Sequence, residues 1–153
     1  MRLTSPHLYF TIDGVPSATP GWRMVNILEL AKPAKLRGTQ PRVLPGAAGA
    51  RAMPLRIAAS ERIINGRVFG AFDADGNPNA SEIDRLDANL ATLAANWAAV
   101  PTTADSTRTC VLHRPGVTVA GPVQVLDFDF DYADMPVAAN VIMRLLLPTG
   151  ELA

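Results

Sequence analysis

The chain has 153 residues, of which 48% are hydrophobic, and it carries 14 basic and 14 acidic side chains for a formal net charge of +0. This size allows one domain with a true core, and the hydrophobic content excludes a disordered chain. The balanced charge gives no electrostatic reason to expect nucleic-acid or membrane binding as the main task. Cys110 is the one cysteine, which excludes an intrachain disulfide and a zinc site built from thiolates.

The chain also lacks the sequence marks of membrane insertion or export. No run approaches the roughly 18 apolar residues of a membrane span. The first residues, MRLTSPHLYFTIDG, have no apolar centre and no small-residue cleavage site of the kind found in a signal peptide. We therefore expect a protein that is made and kept in the cytoplasm, or assembled into something there.

Most of the chain is predicted to form strands and turns. The pattern is several strands, one helix, and then three or four strands in succession, and this order is not the alternation of a parallel α/β fold. Residues 8–12 and 24–30 are predicted to pair as an opening hairpin. The sequence therefore predicts a mainly β protein, an antiparallel sandwich or barrel with one flanking α-helix. The predicted strands are residues 8–12, 24–30, 55–72 (with a break near residue 59), 109–113, 117–126, 125–132 and 137–147.

Residues 81–99 form the one segment that is typical of an amphipathic helix. Ser81 with Asp84 three residues later resembles a capping box, with Asp in place of the usual Glu. Apolar residues recur at steps of three and four, which places them on one face of the helix. We expect this face to pack on the sheet, and its predicted members are Ile83, Leu86, Leu90, Leu93 and Trp97.

Residues 32–54 show neither a helical nor a strand period and are rich in proline and glycine. Loops of this length are uncommon in compact domains and are usually functional or disordered. The segment also holds a large share of the positive charge. One interpretation is a surface excursion, and the other is an arm that becomes ordered against a neighbouring copy of the chain. The predicted arm residues are Arg37, Arg42, Leu44, Pro45, Gly46, Gly49 and Arg51.

The sequence offers no catalytic constellation. His7 and His113 lie in different elements, and no serine or cysteine stands in a recognisable nucleophile motif. The glycine-rich nucleotide-binding motifs and the zinc-protease motif are also missing. We expect a protein that is not an enzyme, with no cofactor.

Two acidic segments resemble metal sites only superficially. Asp73 begins a calcium-like loop, but the position that needs glycine is Pro78, and the twelfth position is Asp84 in place of a bidentate Glu. This segment is predicted to be a solvated turn that leads into the helix.

The second acidic segment, residues 125–132 (VLDFDFDY), has the clearest period-two pattern in the chain. Asp127, Asp129 and Asp131 share one face, and alternate strand positions lie about 6.5–7 Å apart, too far to share one ion easily. No metal site is therefore predicted. The three aspartates form either an exposed strand face or a face lining a channel, where like charge would keep DNA mobile.

Several stretches together resemble a family of small tail proteins from bacteriophages of actinobacteria. They are VNILEL, the RG…VLPGAAGARAMP segment, FDADGNPN, the helix with NLATLAANW, the GPVQVLDFDFD strand and the terminal LLLPTGELA. The resemblance covers nearly the whole chain, and its motifs are patterns of turns and apolar positions.

The resemblance implies the tail-tube fold, a β-sandwich with a flanking helix that forms six-fold rings stacked around a channel. On this view the chain is a virion structural protein of a siphovirus tail tube, assembled in the host cytoplasm. Its implied partners are further copies of itself, the tape measure, terminator and baseplate proteins, and DNA in transit through the lumen, with no membrane. Asp127, Asp129 and Asp131 are then candidates for the lumen face, and if they face outward we expect salt bridges to Arg37, Arg42 or Arg51 of a neighbour.

Two alternatives remain open. Within the same class, the chain is a distal tail or tail-terminator ring, which would form single hexamers instead of tubes. In a different class, it is a small ligand-binding β-barrel, which would have an apolar cavity inside the domain and a stable monomeric state.

Overall fold

A computed structural model describes residues 8–34, 36–38, 42–43, 50–51, 55–78, 80–134 and 138–153. In the ranges between 36 and 57 and at residues 133–134, the description is limited to the backbone. The fold is mainly β with a single α-helix, as the sequence predicted. The strands are β1 Tyr9–Ile12, β2 Val15–Pro16, β3 Ala18–Thr19, β4 Trp22–Met24, β5 Leu36–Gly38, β6 Arg42–Val43, β7 Ala50–Arg51, β8 Leu55–Ile57, β9 Ser60–Phe69, β10 Arg108–Arg114, β11 Val117–Asp134 and β12 Ala138–Leu147.

Eight of these strands form one antiparallel sheet in the order β2-β1-β10-β11-β12-β9-β4-β3. Its two end strands, β2 and β3, are separated in sequence by the single residue Ser17. The backbone N–H of Ser17 donates to Phe10 O at 2.8 Å, and its carbonyl accepts from Met24 N at 2.8 Å. Ser17 thereby joins β1 to β4, and the sheet closes into a barrel at this point.

The predicted opening hairpin is wrong. Residues 24–30 are not a strand, because β4 ends at Met24 and a 3₁₀ helix follows at Ile27–Ala31. Asn26, between them, adopts a left-handed conformation with φ of 56°. β4 pairs with β9 instead of β1. Where the two strands pair, a Cβ on Gly66 would meet the Arg23 carbonyl oxygen at 2.5 Å, so only glycine lets them approach this closely.

The helix α1 spans Glu82–Leu93 and continues as a π-helical turn over Ala94–Ala98. The Ser81 hydroxyl accepts a hydrogen bond from the backbone N–H of Asp84 at 3.3 Å, as expected of an N-cap. Ile83, however, is 47% exposed, so the predicted apolar stripe is wrong at its first member. The remaining four members, Leu86, Leu90, Leu93 and Trp97, are buried.

Two polar residues complete the buried face of α1. Arg85 donates from Nε to the Gly70 carbonyl oxygen at 2.6 Å. Asn89 donates from Nδ2 to Phe69 O at 2.8 Å and to Phe72 O at 3.0 Å. These bonds satisfy carbonyls of the turn between β9 and the helix, which explains why polar side chains are buried here. The helix begins at Glu82, and its first buried apolar residue is Leu86, about one turn later.

The barrel interior is filled by side chains from the helix and from the inward-facing positions of the sheet. Phe10, Ile12, Leu112, Met143 and Leu145 are each 0% exposed. The ring of Phe10 lies 6.0 Å from that of Trp97, which joins the helix to β1 across the core. Among the described residues, the buried apolar side chains thus form a single cluster.

Residues 32–54, predicted to be a surface excursion or an ordered arm, contain the short strands β5, β6 and β7, and β8 follows them. β5 pairs with β8 and β6 with β7, and each ladder forms a sheet separate from the barrel. Leu36 lies opposite Ile57, and Val43 lies opposite Ala50, and the register does not shift between the two ladders. We name these four strands, β5 to β8, together the arginine hairpin.

Candidate interaction surface

The strand β11 has two halves with different surroundings. Its first half pairs with β10, and that pairing ends where Arg108 lies opposite Val123. Its second half pairs with β12 from Gln124 to Asp134. Among the described residues, no strand pairs with the other edge of this second half. We name residues 126–132 the open segment of β11.

The open segment is exposed on both faces. Six of its seven residues are exposed and Phe128 is half-buried, whereas β12 beside it alternates between buried and exposed residues. Three of the exposed residues are large and apolar, namely Leu126 at 42%, Phe130 at 43% and Tyr132 at 40% exposure. Exposed apolar side chains next to an unpaired strand edge are typical of interaction sites, because both invite contact with another chain.

Local bonds hold this segment in place without covering it. The backbone N–H of Phe130 donates to the carboxylate of Asp129 at 2.9 Å. The phenol of Tyr132 donates to Asp87 Oδ1 at 3.1 Å, and this bond is the main reason why the pKa of Tyr132 is raised above 10.0. The ring of Tyr132 also packs edge-on against Phe130, with centroids 5.6 Å apart.

The three predicted aspartates lie together on the outer face of the barrel. In the register with β12, Asp127 lies opposite Arg144, Asp129 opposite Ile142 and Asp131 opposite Asn140. Ion pairs between described residues join Lys32 to Glu29 and Arg108 to Asp13, and none of them uses these three carboxylates. We name Asp127, Asp129 and Asp131 the acidic row.

Charge is separated across this face. One cross-strand row contains Arg23 on β4, Arg67 on β9, Asn140 on β12 and Asp131 on β11. Arg67 Nε donates to Asn140 Oδ1 at 3.3 Å. A groove of about 630 Å³ runs over these residues, with the arginines on one wall and Asp129 and Asp131 on the other. The face is positive towards β4 and negative towards β11.

The arginine hairpin carries the opposite charge to the acidic row. Its register places Arg37 opposite Arg56, and Arg42 opposite Arg51. Of the other predicted arm residues, Leu44, Pro45, Gly46 and Gly49 lie outside the described residues.

The remaining chemical candidates do not assemble into a site. The ring of His113 stacks on Tyr9 with centroids 4.5 Å apart, and His7 lies outside the described residues. Burial raises the pKa of the Cys110 thiol to about 12. Asp73 Oδ1 accepts hydrogen bonds from the backbone of Asp75 at 3.0 Å and Asn77 at 2.7 Å, so this carboxylate closes its own turn. Across the described part of the chain, no three acidic, histidine or cysteine side chains are grouped to hold a metal.

None of the helices in the described part of the chain is long and apolar enough to cross a bilayer. The sequence matches no family model and no curated protein. What the chain does must therefore be argued from its own surfaces.

Sequence reasoning found the acidic row and the arginines of the hairpin, but it missed Arg23 and Arg67. In the sequence these two residues are isolated cations, Arg23 in the short β4 and Arg67 in the long β9. They come together because β4 pairs with β9, with Arg23 opposite Arg67, and no local pattern shows this long-range pairing.

Proposed function

We propose that this chain is a structural protein that associates with copies of itself to form a ring or tube. The observation that carries this proposal is the open segment of β11, with an unpaired edge and six exposed residues out of seven in an otherwise closed barrel. Pairing with another copy would remove the edge and cover the apolar side chains. A contact between two different surfaces of identical subunits generates a ring if the rotation closes.

The assembly that the sequence resemblance implies is the tail tube of a bacteriophage, with six subunits in each ring and DNA passing through the channel. The mainly β fold with one helix is compatible with that family. On this proposal the protein resides in the virion tail, where it contacts copies of itself and the tape measure, terminator and baseplate proteins. A distal tail or tail-terminator ring is the alternative within the same class, and it differs in that its rings do not stack into tubes.

The second candidate function is ligand binding. The groove of about 630 Å³ beside Arg67 and Asp129 has the volume of a small-molecule pocket. It lies on the outer face of the sheet, whereas a ligand-binding barrel was expected to hold its cavity in the interior, and that interior is occupied by packed side chains. Self-association is favoured because it uses both the groove face and the open edge.

The test is the oligomeric state of the purified chain as a function of concentration. Sedimentation velocity and negative-stain electron microscopy should show rings, or rings stacked into tubes, whose proportion increases with concentration. The variant Phe130→Asp should shift the distribution towards the monomer, and Val117→Asp, which also places a charge at an exposed apolar position of β11, is the matched control. A chain that stays monomeric at every soluble concentration, alone and with partner tail proteins, would overturn the proposal. Stacked rings favour a tube protein, and single rings favour a terminator or distal tail protein.

A further inference from the structure

The groove on the outer face of the sheet has two walls of opposite charge. Arg23 and Arg67 line one wall, and Asp129 and Asp131 line the other. We name these the arginine wall and the aspartate wall. The ion pairs formed within the described part of the chain use neither Arg23 nor the two aspartates. A ligand that complements both walls therefore carries a negative charge at one end and a positive charge at the other.

The strand register sets the length of such a ligand. Arg67 on β9 and Asp131 on β11 both lie opposite Asn140 on β12, so two strand spacings, about 10 Å, separate their backbones. Arg23 on β4 lies one spacing further away, at about 14 Å from Asp131. An extended peptide of three or four residues spans about 10–14 Å. A single amino acid, whose two charges are one residue apart, is too short to contact both walls.

The part of the groove between the walls combines exposed apolar side chains with one unpaired acceptor. Val25 and Ile142 line it, and each is 48% exposed, so an apolar side chain of a ligand would cover them. Asn65 lies opposite Ile142 in the register, and its Oδ1 is buried with no hydrogen-bond partner among the described residues. A buried acceptor without a partner costs free energy, so the site favours a ligand that brings an N–H donor. A peptide has such donors along its backbone.

We propose that this groove binds a short extended peptide of three or four residues with free termini. The carboxylate of the peptide lies at the arginine wall and its ammonium group lies at the aspartate wall. A central apolar side chain packs on Val25 and Ile142, and a backbone N–H donates to Asn65. The groove belongs to the single chain, so this inference goes beyond the proposed self-assembly and does not depend on it.

The experiment measures the binding of alanyl-leucyl-alanine to the full chain by saturation-transfer difference NMR, at protein concentrations below and above those at which the chain assembles. Acetylating the N-terminus of the peptide removes its positive charge, and amidating the C-terminus removes its negative charge. Each modification should raise the Kd by about threefold to fivefold, as expected for partly exposed charge pairs. Free leucine, and an aminoalkanoic acid of the same length without amides, should bind more weakly than the tripeptide.

Variants of the chain assign each end of the peptide to its wall. Arg23→Gln should raise the Kd of the unmodified peptide by about threefold to fivefold and leave that of the amidated peptide unchanged, because the two changes remove the same contact. Asp131→Asn should behave in the same way towards the acetylated peptide. Arg144→Gln and Asp127→Asn are the matched controls, because both residues are exposed on this face and neither lines the groove. Neither control should change the Kd.

The peptide modifications test the inference on the wild-type chain, and circular dichroism establishes that each variant is folded. The inference is wrong if the tripeptide does not bind at its highest soluble concentration. Equal binding of the unmodified and modified peptides, or of the tripeptide and free leucine, would also overturn it. If the tripeptide does not bind while Arg23→Gln and Asp131→Asn both weaken assembly, the groove faces a second copy of the chain. The proposed function fails separately, in a chain that binds the tripeptide and stays monomeric.

Discussion

The two halves of β11 have different pairing partners and different burial. The first half has the irregular sequence VTVAGPV, yet it pairs with β10 and contributes the fully buried Val123 to the core. The second half has the regular alternation LDFDFDY, yet it is exposed on both faces. Regular alternation thus predicts an extended backbone, but burial depends on what lies on each side of the strand.

The largest expected difference is in chemical access, between the core beside the first half and the open segment. Cys110 lies opposite Gly121 in the first half, is 0% exposed and has a pKa raised to about 12 by burial. It should react with a maleimide only when the barrel opens. A cysteine at the open segment, Leu126→Cys with Cys110→Ala, should react at least about a thousandfold faster in the monomer at neutral pH.

Mass spectrometry of samples quenched over time measures both rates. Comparable rates of maleimide reaction at the two positions would show that the core around Cys110 is accessible to solvent. Assembly should then slow the reaction at residue 126 and leave that at Cys110 unchanged, which distinguishes covering of the open segment from a general tightening of the fold.

Replacing a buried and an exposed phenylalanine by alanine should show the same contrast between the core and the open segment in the free energy of unfolding. Phe10 is 0% exposed against Trp97, so Phe10→Ala should lower the free energy of unfolding by about 3–5 kcal/mol. Phe130 is 43% exposed, so Phe130→Ala should cost about 1 kcal/mol or less in the monomer. Urea unfolding measures both values. A large loss in the Phe130 variant would mean that the open segment belongs to the core.

Removing the buried hydroxyl at the point where the barrel closes should lower the free energy of unfolding more than removing an exposed hydroxyl elsewhere. Ser17 is buried, and its Oγ accepts a hydrogen bond from the backbone N–H of Phe10 at 3.1 Å. Ser17→Ala leaves this buried donor without its partner and should cost about 1–3 kcal/mol. Thr118→Ala, at an exposed position in the first half of β11, is the control and should change stability little. Equal effects of the two changes on urea unfolding would contradict the buried hydrogen bond from the Phe10 N–H to Ser17 Oγ.

The smallest expected effect is on stability at alkaline pH, where Tyr132 of the open segment titrates. The pKa of Tyr132 is raised because its neutral phenol donates to Asp87. Because the pKa is raised in the folded state, the Tyr132–Asp87 hydrogen bond stabilises the fold fully below the unfolded value near 10. This stabilisation is lost as the pH rises through the folded pKa. Tyr132→Phe should remove this alkaline dependence. The difference in tyrosinate absorbance between wild type and variant measures it, and a midpoint at or below 10 would contradict the Tyr132–Asp87 bond.

Local signals were sufficient for the helix and for most strands. The N-cap at Ser81, the long strand before the acidic turn and the break near residue 59 are all encoded by neighbouring residues, and the structure confirms them. Local signals failed at residues 24–30, where Asn26 in a left-handed conformation ends the strand. They failed again at Ile83, because the period of a helix does not show where its contact with the sheet begins.

The sequence by itself determined the mainly β class, the single helix and the separation of basic and acidic segments, because each depends on residues that are close along the chain. The tertiary structure decided the closure at Ser17, the pairing of β4 with β9 up to Gly66 and the open edge beyond Val123. These features depend on which distant strands pair and on where a pairing stops. The physical reason is that a strand's pattern specifies its two faces, whereas its two edges are satisfied only by other strands.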